Sequence, residues 1–170
     1  APDAYHGLGV LMNKQGKIED AVKLYEQCVA LKPSKSLAVE HLTGYYLGNR
    51  RFSDAIRVLR LAAAKPPNNV TVLNTLAKLL ATCRDPQFRN GKEAVALASK
   101  AAELTHYQEP SVLATLAAAY AETGDFIQAA ETARKAAQLA EDTQQDELAS
   151  IIRDQLDGYL KSQPYRDPRT

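Results

Sequence analysis

The sequence repeats one pattern at regular intervals, and this period restricts the possible folds more than any other feature. Leu8, Leu42 and Leu76 are evenly spaced, and Leu116 follows after a slightly longer interval. A period of roughly 20 to 50 residues is typical of proteins in which similar units stack on their neighbours. Such proteins usually offer extended binding surfaces. The period therefore predicts a binding protein and leaves its partner open.

Each period is predicted to contain two amphipathic helices, A and B, joined by a turn with glycine or charged residues. Proline stands at the B-to-A junctions, where it stops the helix because it cannot continue one. The predicted helices are 3–14, 18–31, 36–48, 52–64, 70–82, 91–105, 110–123 and 126–140. One more helix, over 144–161, has an apolar stripe that would cover the exposed flank of the last pair.

The repeats share a residue pattern. Helix A carries a large residue, then leucine, a small residue and an aromatic or large one, and helix B carries spaced small residues. The first repeat contributes Tyr5, Leu8, Gly9, Met12, Ala21, Tyr25, Cys28 and Pro33. The second contributes Val39, Leu42, Thr43, Tyr46, Ala55, Leu59, Ala62 and Pro67. The later repeats place alanine in helix B where an aromatic is expected, so we predict closer helix packing there.

This pattern resembles the tetratricopeptide repeat family, over roughly residues 2–141. The resemblance implies an all-α fold, a right-handed superhelix or α-solenoid of four helix-turn-helix repeats plus a C-terminal capping helix. We assign the four repeats to about 2–35, 36–69, 70–109 and 110–143, the capping helix to 144–161 and a flexible tail to 162–170. The later part of the chain also resembles the C-terminal repeat region of larger bacterial members.

The sequence contains no evident set of catalytic or metal-binding residues. His6, His41 and His106 have no ligand spacing with one another or with cysteine, and a zinc site needs about four converging ligands. Cys83 has no base partner in the sequence, and no glycine-rich loop forms a nucleotide cradle. We therefore predict no catalytic residue, no metal, no cofactor and no enzymatic activity in this segment.

The charge and the composition restrict the classes of partner that this segment can bind. The net charge is +1, so no overall field favours nucleic acid. Residues 109–157 carry ten acidic and three basic side chains, whereas residues 1–108 carry a net +6, so the two ends present different surfaces. No apolar run of about 18 residues is present, which predicts no membrane span in this segment.

Two cysteines far apart do not form a disulfide framework and favour a reducing compartment such as the cytoplasm. A periplasmic location stays open if the full chain has a membrane portion. The chain begins at Ala1 rather than at methionine, from which we expect an excised or processed piece of a longer protein.

The resemblance implies that the A helices line a concave groove in which a partner binds. The partner-binding positions are His6, Val10, Asn13, Leu37, Glu40, His41, Leu47, Thr71, Asn74, Thr75 and Lys78. We expect His6 and His41 to face each other across neighbouring A helices. The cationic residues with which one subclass grips a chaperone's C-terminal carboxylate are missing at His6, Val10, His41, Thr71 and Thr75, which argues against that partner.

A second candidate surface follows the A-to-B turns, where Arg50, Arg51, Arg84 and Arg89 form a predicted basic edge. Such an edge suits an acidic partner or phosphate groups, or is simply a solvated rim balanced by nearby aspartates. Aromatic side chains for base stacking are not interleaved with these arginines, which argues against nucleic acid.

The leading functional prediction is a non-enzymatic protein–protein interaction scaffold that binds a peptide or a helix in the groove of its A helices. Two alternatives stay open. One is an accessory, substrate-positioning segment of a larger enzyme such as a glycosyltransferase, and the other is a structural or self-association module. A further open point is whether the protein's own terminal segment fills the groove.

Overall fold

The computed structural model describes residues 1–34 and 36–170, and over these residues the chain is all-α, as predicted. The helices run α1 Pro2–Lys14, α2 Ile18–Leu31, α3 Ser36–Gly48, α4 Phe52–Ala63, α5 Val70–Thr82, α6 Gly91–Leu104, α7 Pro110–Glu122, α8 Phe126–Asp142 and α9 Asp146–Leu160. Each predicted helix end lies within two residues of the observed one. The assigned end of the first repeat, Lys35, lies outside the described residues.

The chain divides into two compact units, Ala1–Val72 and Leu73–Thr170. In the first unit α1 packs on α2, α2 on α3, and α3 on α4. In the second unit α6 packs on α7, α7 on α8, and α8 on α9, while α9 also contacts α7. Consecutive helices therefore pack as neighbours within each unit, which is the arrangement expected of stacked helix pairs.

The turns between the helices of a pair repeat one backbone geometry. Gly16 and Gly124 have φ values of 75° and 82°, a left-handed conformation that glycine adopts without steric cost. The amide that follows each glycine reaches back to a helix carbonyl: Lys17 N donates to Met12 O and Asp125 N donates to Tyr120 O, at 2.9 Å and 3.0 Å. These bonds satisfy carbonyl groups that the helix ends would leave without partners.

Repeated leucines form part of the core wherever a helix packs on them. Leu42 and Leu76 are 0% and 1% exposed, and Leu116 is also buried. Leu8, at the equivalent position of α1, is 45% exposed. Because no other described helix covers that side of α1, the leucine stays open to solvent there.

Alanine fills the interior of α6 and α8. The buried alanines of these two helices are Ala94, Ala98, Ala101, Ala102, Ala129, Ala130, Ala133, Ala136, Ala137 and Ala140. Small side chains let neighbouring helices approach closely, and the aromatic residue found at Tyr25 in the first repeat would have no room at these positions.

The segment between α5 and α6 contains a 3-10 helix, Pro86–Phe88, and ends in a capping pair at the start of α6. The Asn90 side chain accepts a hydrogen bond from Glu93 N at 3.1 Å and donates one to the Glu93 carboxylate at 3.2 Å. This pair satisfies a free amide at the N-terminus of α6.

Replacing Asn90 by alanine should lower the free energy of unfolding by about 1 kcal/mol, because the first turn of α6 loses its cap. Urea unfolding followed by circular dichroism measures the change. Gln145 is the matched control, since it occupies the same position before α9 and its side chain makes no capping bond. An Asn90→Ala variant as stable as Gln145→Ala would contradict the capping role.

The last helix and the segment after it lie against the second unit. Ala149, Ile152 and Tyr159 of α9 are buried. We expected residues 162–170 to form a flexible tail. In the structure Asp167 is only 4% exposed, and its backbone amide donates to Thr82 O of α5 at 3.0 Å, so this segment is packed on the helices.

Candidate interaction surfaces

The first unit carries a stack of three rings on the surface of α1 and α3. The ring of His6 lies 5.9 Å from that of His41, and Tyr25 of α2 stacks on His41 at 4.8 Å. Tyr25 is buried, and its ring packs against α1 at Gly9. The two histidines therefore do face each other across neighbouring A helices, and a buried tyrosine fixes one of them in place.

The other predicted positions of this unit differ in chemistry and in exposure. Leu37 is 52% exposed, and Asn13, Glu40 and Thr71 are also open to solvent. Val10 and Leu47 are half-buried. The unit thus offers apolar and polar side chains together, as a surface that recognises a peptide requires.

Two of the four arginines of the predicted basic edge are engaged within the protein. Arg51 pairs with Asp54 at 2.7 Å and lies over the Tyr46 ring at 4.8 Å from its centroid. Arg89 pairs with Glu122 at 3.0 Å and donates to Cys83 O at 2.8 Å. Arg50 and Arg84 are exposed. Arg51 and Arg89 thus help to hold the fold together in their own units.

Burial and hydrogen bonding raise the pKa of Tyr46, whose ring lies beneath Arg51. Tyr46 is fully buried, and its hydroxyl donates to the Glu26 carboxylate. Burial raises the pKa of Tyr46 far above its ordinary value, and the neighbouring carboxylate adds to this effect. The hydroxyl therefore stays protonated and serves as a fixed hydrogen-bond donor between α3 and α2.

The second unit contains a groove between α5, α7 and α9, with a cavity of about 480 Å³. We call it the α5–α7–α9 groove. Asn74 and Lys78, two predicted partner-binding residues, line it together with Thr82. Its opposite walls are made by Ser111, Ala114, Thr115, Ala118, Leu148, Ile151, Ile152 and Gln155. Thr75, the third prediction in this unit, is half-buried on α5.

One polar atom in the groove lacks a partner. The Asn74 Oδ1 atom is buried and accepts no hydrogen bond from the described residues. A buried acceptor without a donor is destabilising by about 1–3 kcal/mol, so a ligand that supplied an N–H or O–H group there would gain a favourable interaction.

Part of the groove is occupied by the end of the chain. Residues 163–170, which we call the tail segment, return to α5, and Tyr165, Asp167, Pro168 and Arg169 line the cavity. Arg166 Nη2 lies 2.7 Å from Glu122 Oε2 of α7, and Asp167 Oδ2 lies 3.9 Å from Lys78 Nζ. Sequence analysis left open whether the protein's own terminal segment fills the groove, but it did not predict these contacts, although the alternating charges of Arg166, Asp167 and Arg169 were visible.

The charges of the tail segment and the groove influence each other. Hydrogen bonds from Arg169 lower the pKa of Asp167, against the opposing effect of burial, so this carboxylate stays ionised. Burial lowers the pKa of Lys78, with a further contribution from Arg169. A carboxylate beside Lys78 is therefore favoured because it offsets the burial of the ammonium group.

No cluster of three or more potential metal ligands occurs among the residues that the structure describes. Within the same residues, every helix is too short or too polar to cross a lipid bilayer.

Comparison with known proteins identifies the repeats. The family model for the tetratricopeptide repeat matches residues 2–35 and residues 110–143. Each of these two segments is a tetratricopeptide repeat. In both segments a pair of consecutive helices makes up the repeat, α1 with α2 and α7 with α8.

Several solved structures share the fold. The structure MamA MSR-1 C2 is 24% identical, with a TM-score of 0.62, and the match covers 84% of this chain and 79% of that chain. Another MamA structure is 15% identical, with a TM-score of 0.63, and the match covers 95% of this chain and 88% of the other. PilF of Pseudomonas aeruginosa is 22% identical, with a TM-score of 0.58 and coverage of 95% and 76%. No curated protein matches the chain.

Proposed function

We propose that this chain is a non-enzymatic protein–protein interaction scaffold and that the faces of its A helices bind a peptide or a helix of a partner. Proteins built from stacked helix pairs bind through such faces because their geometry leaves one row of helices open. The α5–α7–α9 groove carries the proposal: it combines an apolar wall with Asn74 and Lys78, and Asn74 Oδ1 lacks a donor.

The two units contribute different chemistry. In the first, Asn13 supplies hydrogen bonds and Val10, Leu37 and Leu47 supply apolar contacts beside the His6 and His41 rings. In the second, Asn74 and Lys78 supply the polar contacts. A partner that combines apolar side chains with a carboxylate suits these residues, because apolar area drives association and polar contacts fix register.

The Asn74→Ala and Lys78→Ala variants test the proposal in a pull-down from the source cell extract, with bound proteins quantified by mass spectrometry. Each variant should lose about tenfold or more of a groove-bound partner, as expected when one charged or buried polar contact is removed. Lys100→Ala is the matched control, since Lys100 is exposed on α6 and does not line the groove. If both groove variants retain every partner of the unchanged chain, the groove assignment is wrong.

A further inference from the structure

The tail segment contacts the end of α5 through one backbone amide and one arginine side chain. Thr82 O and Ala81 O lie at the C-terminus of α5, where helix carbonyls lack partners within the helix. Asp167 N donates to Thr82 O at 3.0 Å, and Arg166 Nη1 donates to Ala81 O at 3.3 Å. A peptide backbone and a guanidinium group therefore satisfy the end of this helix.

The charges of the tail segment match those of the groove in order along the chain. Arg166 lies against Glu122, whose side chain is 15% exposed, and the next residue, Asp167, lies against Lys78. Arg84 N donates to Thr170 Oγ1 at 3.1 Å and fixes the far end. The groove thus contacts arginine followed by aspartate in one direction, and the segment turns after Asp167, because Thr170 N donates to Asp167 O at 3.2 Å.

The tail segment leaves the groove partly unfilled. The cavity of about 480 Å³ remains beside it, lined by Ala114, Ala118 and Ile152, and Asn74 Oδ1 remains without a donor. Cavities of roughly 300–1,000 Å³ are large enough to hold ligand groups. A peptide that repeats the contacts of the tail segment and also places an apolar side chain in this cavity would gain interactions that the tail segment lacks.

We infer that the tail segment is a built-in ligand of the α5–α7–α9 groove, and that the partner of this groove is a peptide with an Arg-Asp pair, which replaces the tail segment when it binds. This inference rests on the proposed function and adds the class of partner and a competition within the chain. An attached segment competes at an effective concentration of the order of millimolar, so the partner must bind the open groove more tightly than that to displace it.

Binding of a synthetic tail peptide in trans tests this inference. The probe is a fluorescent peptide with the sequence of residues 163–170, Gln-Pro-Tyr-Arg-Asp-Pro-Arg-Thr. The protein is the full chain with Arg166→Ala and Asp167→Ala, which removes the ion pairs that hold its own tail segment. Fluorescence anisotropy should show at least about tenfold tighter binding to this variant than to the unchanged chain, because the competing tail segment is released.

Four controls make the result specific. A double variant on the exposed face of α8, Glu131→Ala with Arg134→Ala, removes the same charge types away from the groove and should bind the peptide no better than the unchanged chain. We call the chain with Arg166→Ala and Asp167→Ala the released variant. A scrambled peptide, and a peptide with asparagine in place of Asp167, should bind the released variant at least about tenfold more weakly than the tail peptide does. Adding Lys78→Ala to the released variant should have a similar effect.

Folding of the released variant is checked by circular dichroism, and a chain ending at Ser162 replaces it if it does not fold. The inference is overturned if the folded variant does not bind the peptide up to about 1 mM, the effective concentration of an attached segment, or if the scrambled peptide binds equally well. If peptide binding fails while Asn74→Ala still loses a partner, only the role of the tail segment is wrong. If both fail, the proposed function fails as well.

Discussion

Replacing Glu122 by alanine should lower the free energy of unfolding of this protein by about 2–3 kcal/mol. Glu122 ends α7, and its two carboxylate oxygens meet Arg89 Nε at 3.0 Å and Arg166 Nη2 at 2.7 Å. The arginine side chains are only 18% and 28% exposed. Without the carboxylate, both guanidinium groups would remain partly buried without their counter-charge, which is more destabilising than the loss of a surface ion pair.

Urea unfolding measures this loss, and a thermal melt should show a decrease of the order of 4–10 °C. Glu122→Gln should lose less, because it keeps the size of the side chain and can still accept hydrogen bonds from both arginines. Glu103→Ala is the control: Glu103 is exposed on α6, so the change should stay within about 0.5 kcal/mol. A Glu122→Ala variant as stable as the Glu103→Ala variant would contradict the linking role of this carboxylate.

The same substitution at two glycines of α1 should have opposite effects. A Cβ atom on Gly9 would lie 2.6 Å from Tyr25 Cε1 and 2.9 Å from Tyr25 Cδ1, closer than such atoms can approach. The Tyr25 ring is buried and stacked on His41, so it cannot move freely. Overpacking of about 1–3 kcal/mol exceeds the helix-propensity gain of roughly 0.5–1 kcal/mol, and Gly9→Ala should therefore destabilise the first unit by about 1–2 kcal/mol.

Gly7→Ala is the matched variant, because nothing lies within 4 Å of a Cβ atom added there. It should stabilise the protein by about 0.5–1 kcal/mol through helix propensity alone. Chemical unfolding of both variants gives the comparison. If Gly9→Ala were stabilising as well, the close approach of α1 and α2 at this point would be ruled out.

The two predictions concern different kinds of contact, and this difference explains which contacts could be predicted from the sequence. Gly9 is small because α1 and α2 pack closely, and the pairing of neighbouring helices is a local event that recurs with the period. The bond between Glu122 and Arg166 joins the end of α7 to the tail segment and occurs once. A pattern that repeats can be found in a single sequence, whereas a contact that occurs once has no such signal.

The helices themselves were predicted closely. Proline at Pro33 and Pro110, glycine at Gly16 and Gly124, and the apolar period place each helix end within two residues of its observed position. The facing of His6 and His41 followed from the same period, since His41 lies one residue after the position equivalent to His6 and neighbouring A helices lie side by side. The third ring, Tyr25, belongs to the repeat pattern, and it is buried.

The placement of the tail segment could not be predicted. Its two prolines and its alternating charges are typical of a mobile end, and we expected one. Its contacts depend on where the C-terminus of α5 and the end of α7 lie relative to the last residue of α9. Lys78 and Glu122 are separated in sequence from the tail segment by two helices or more, so no local rule connects them.

The sequence alone determined the all-α repeat architecture and the helix bounds, because each depends on short-range preferences that recur with the period of the repeat. Only the tertiary structure decided which arginines are engaged by carboxylates, what lies in the α5–α7–α9 groove and which of its atoms lacks a partner. Those outcomes depend on distances between residues far apart in the chain, and such distances are fixed only when the helices have packed.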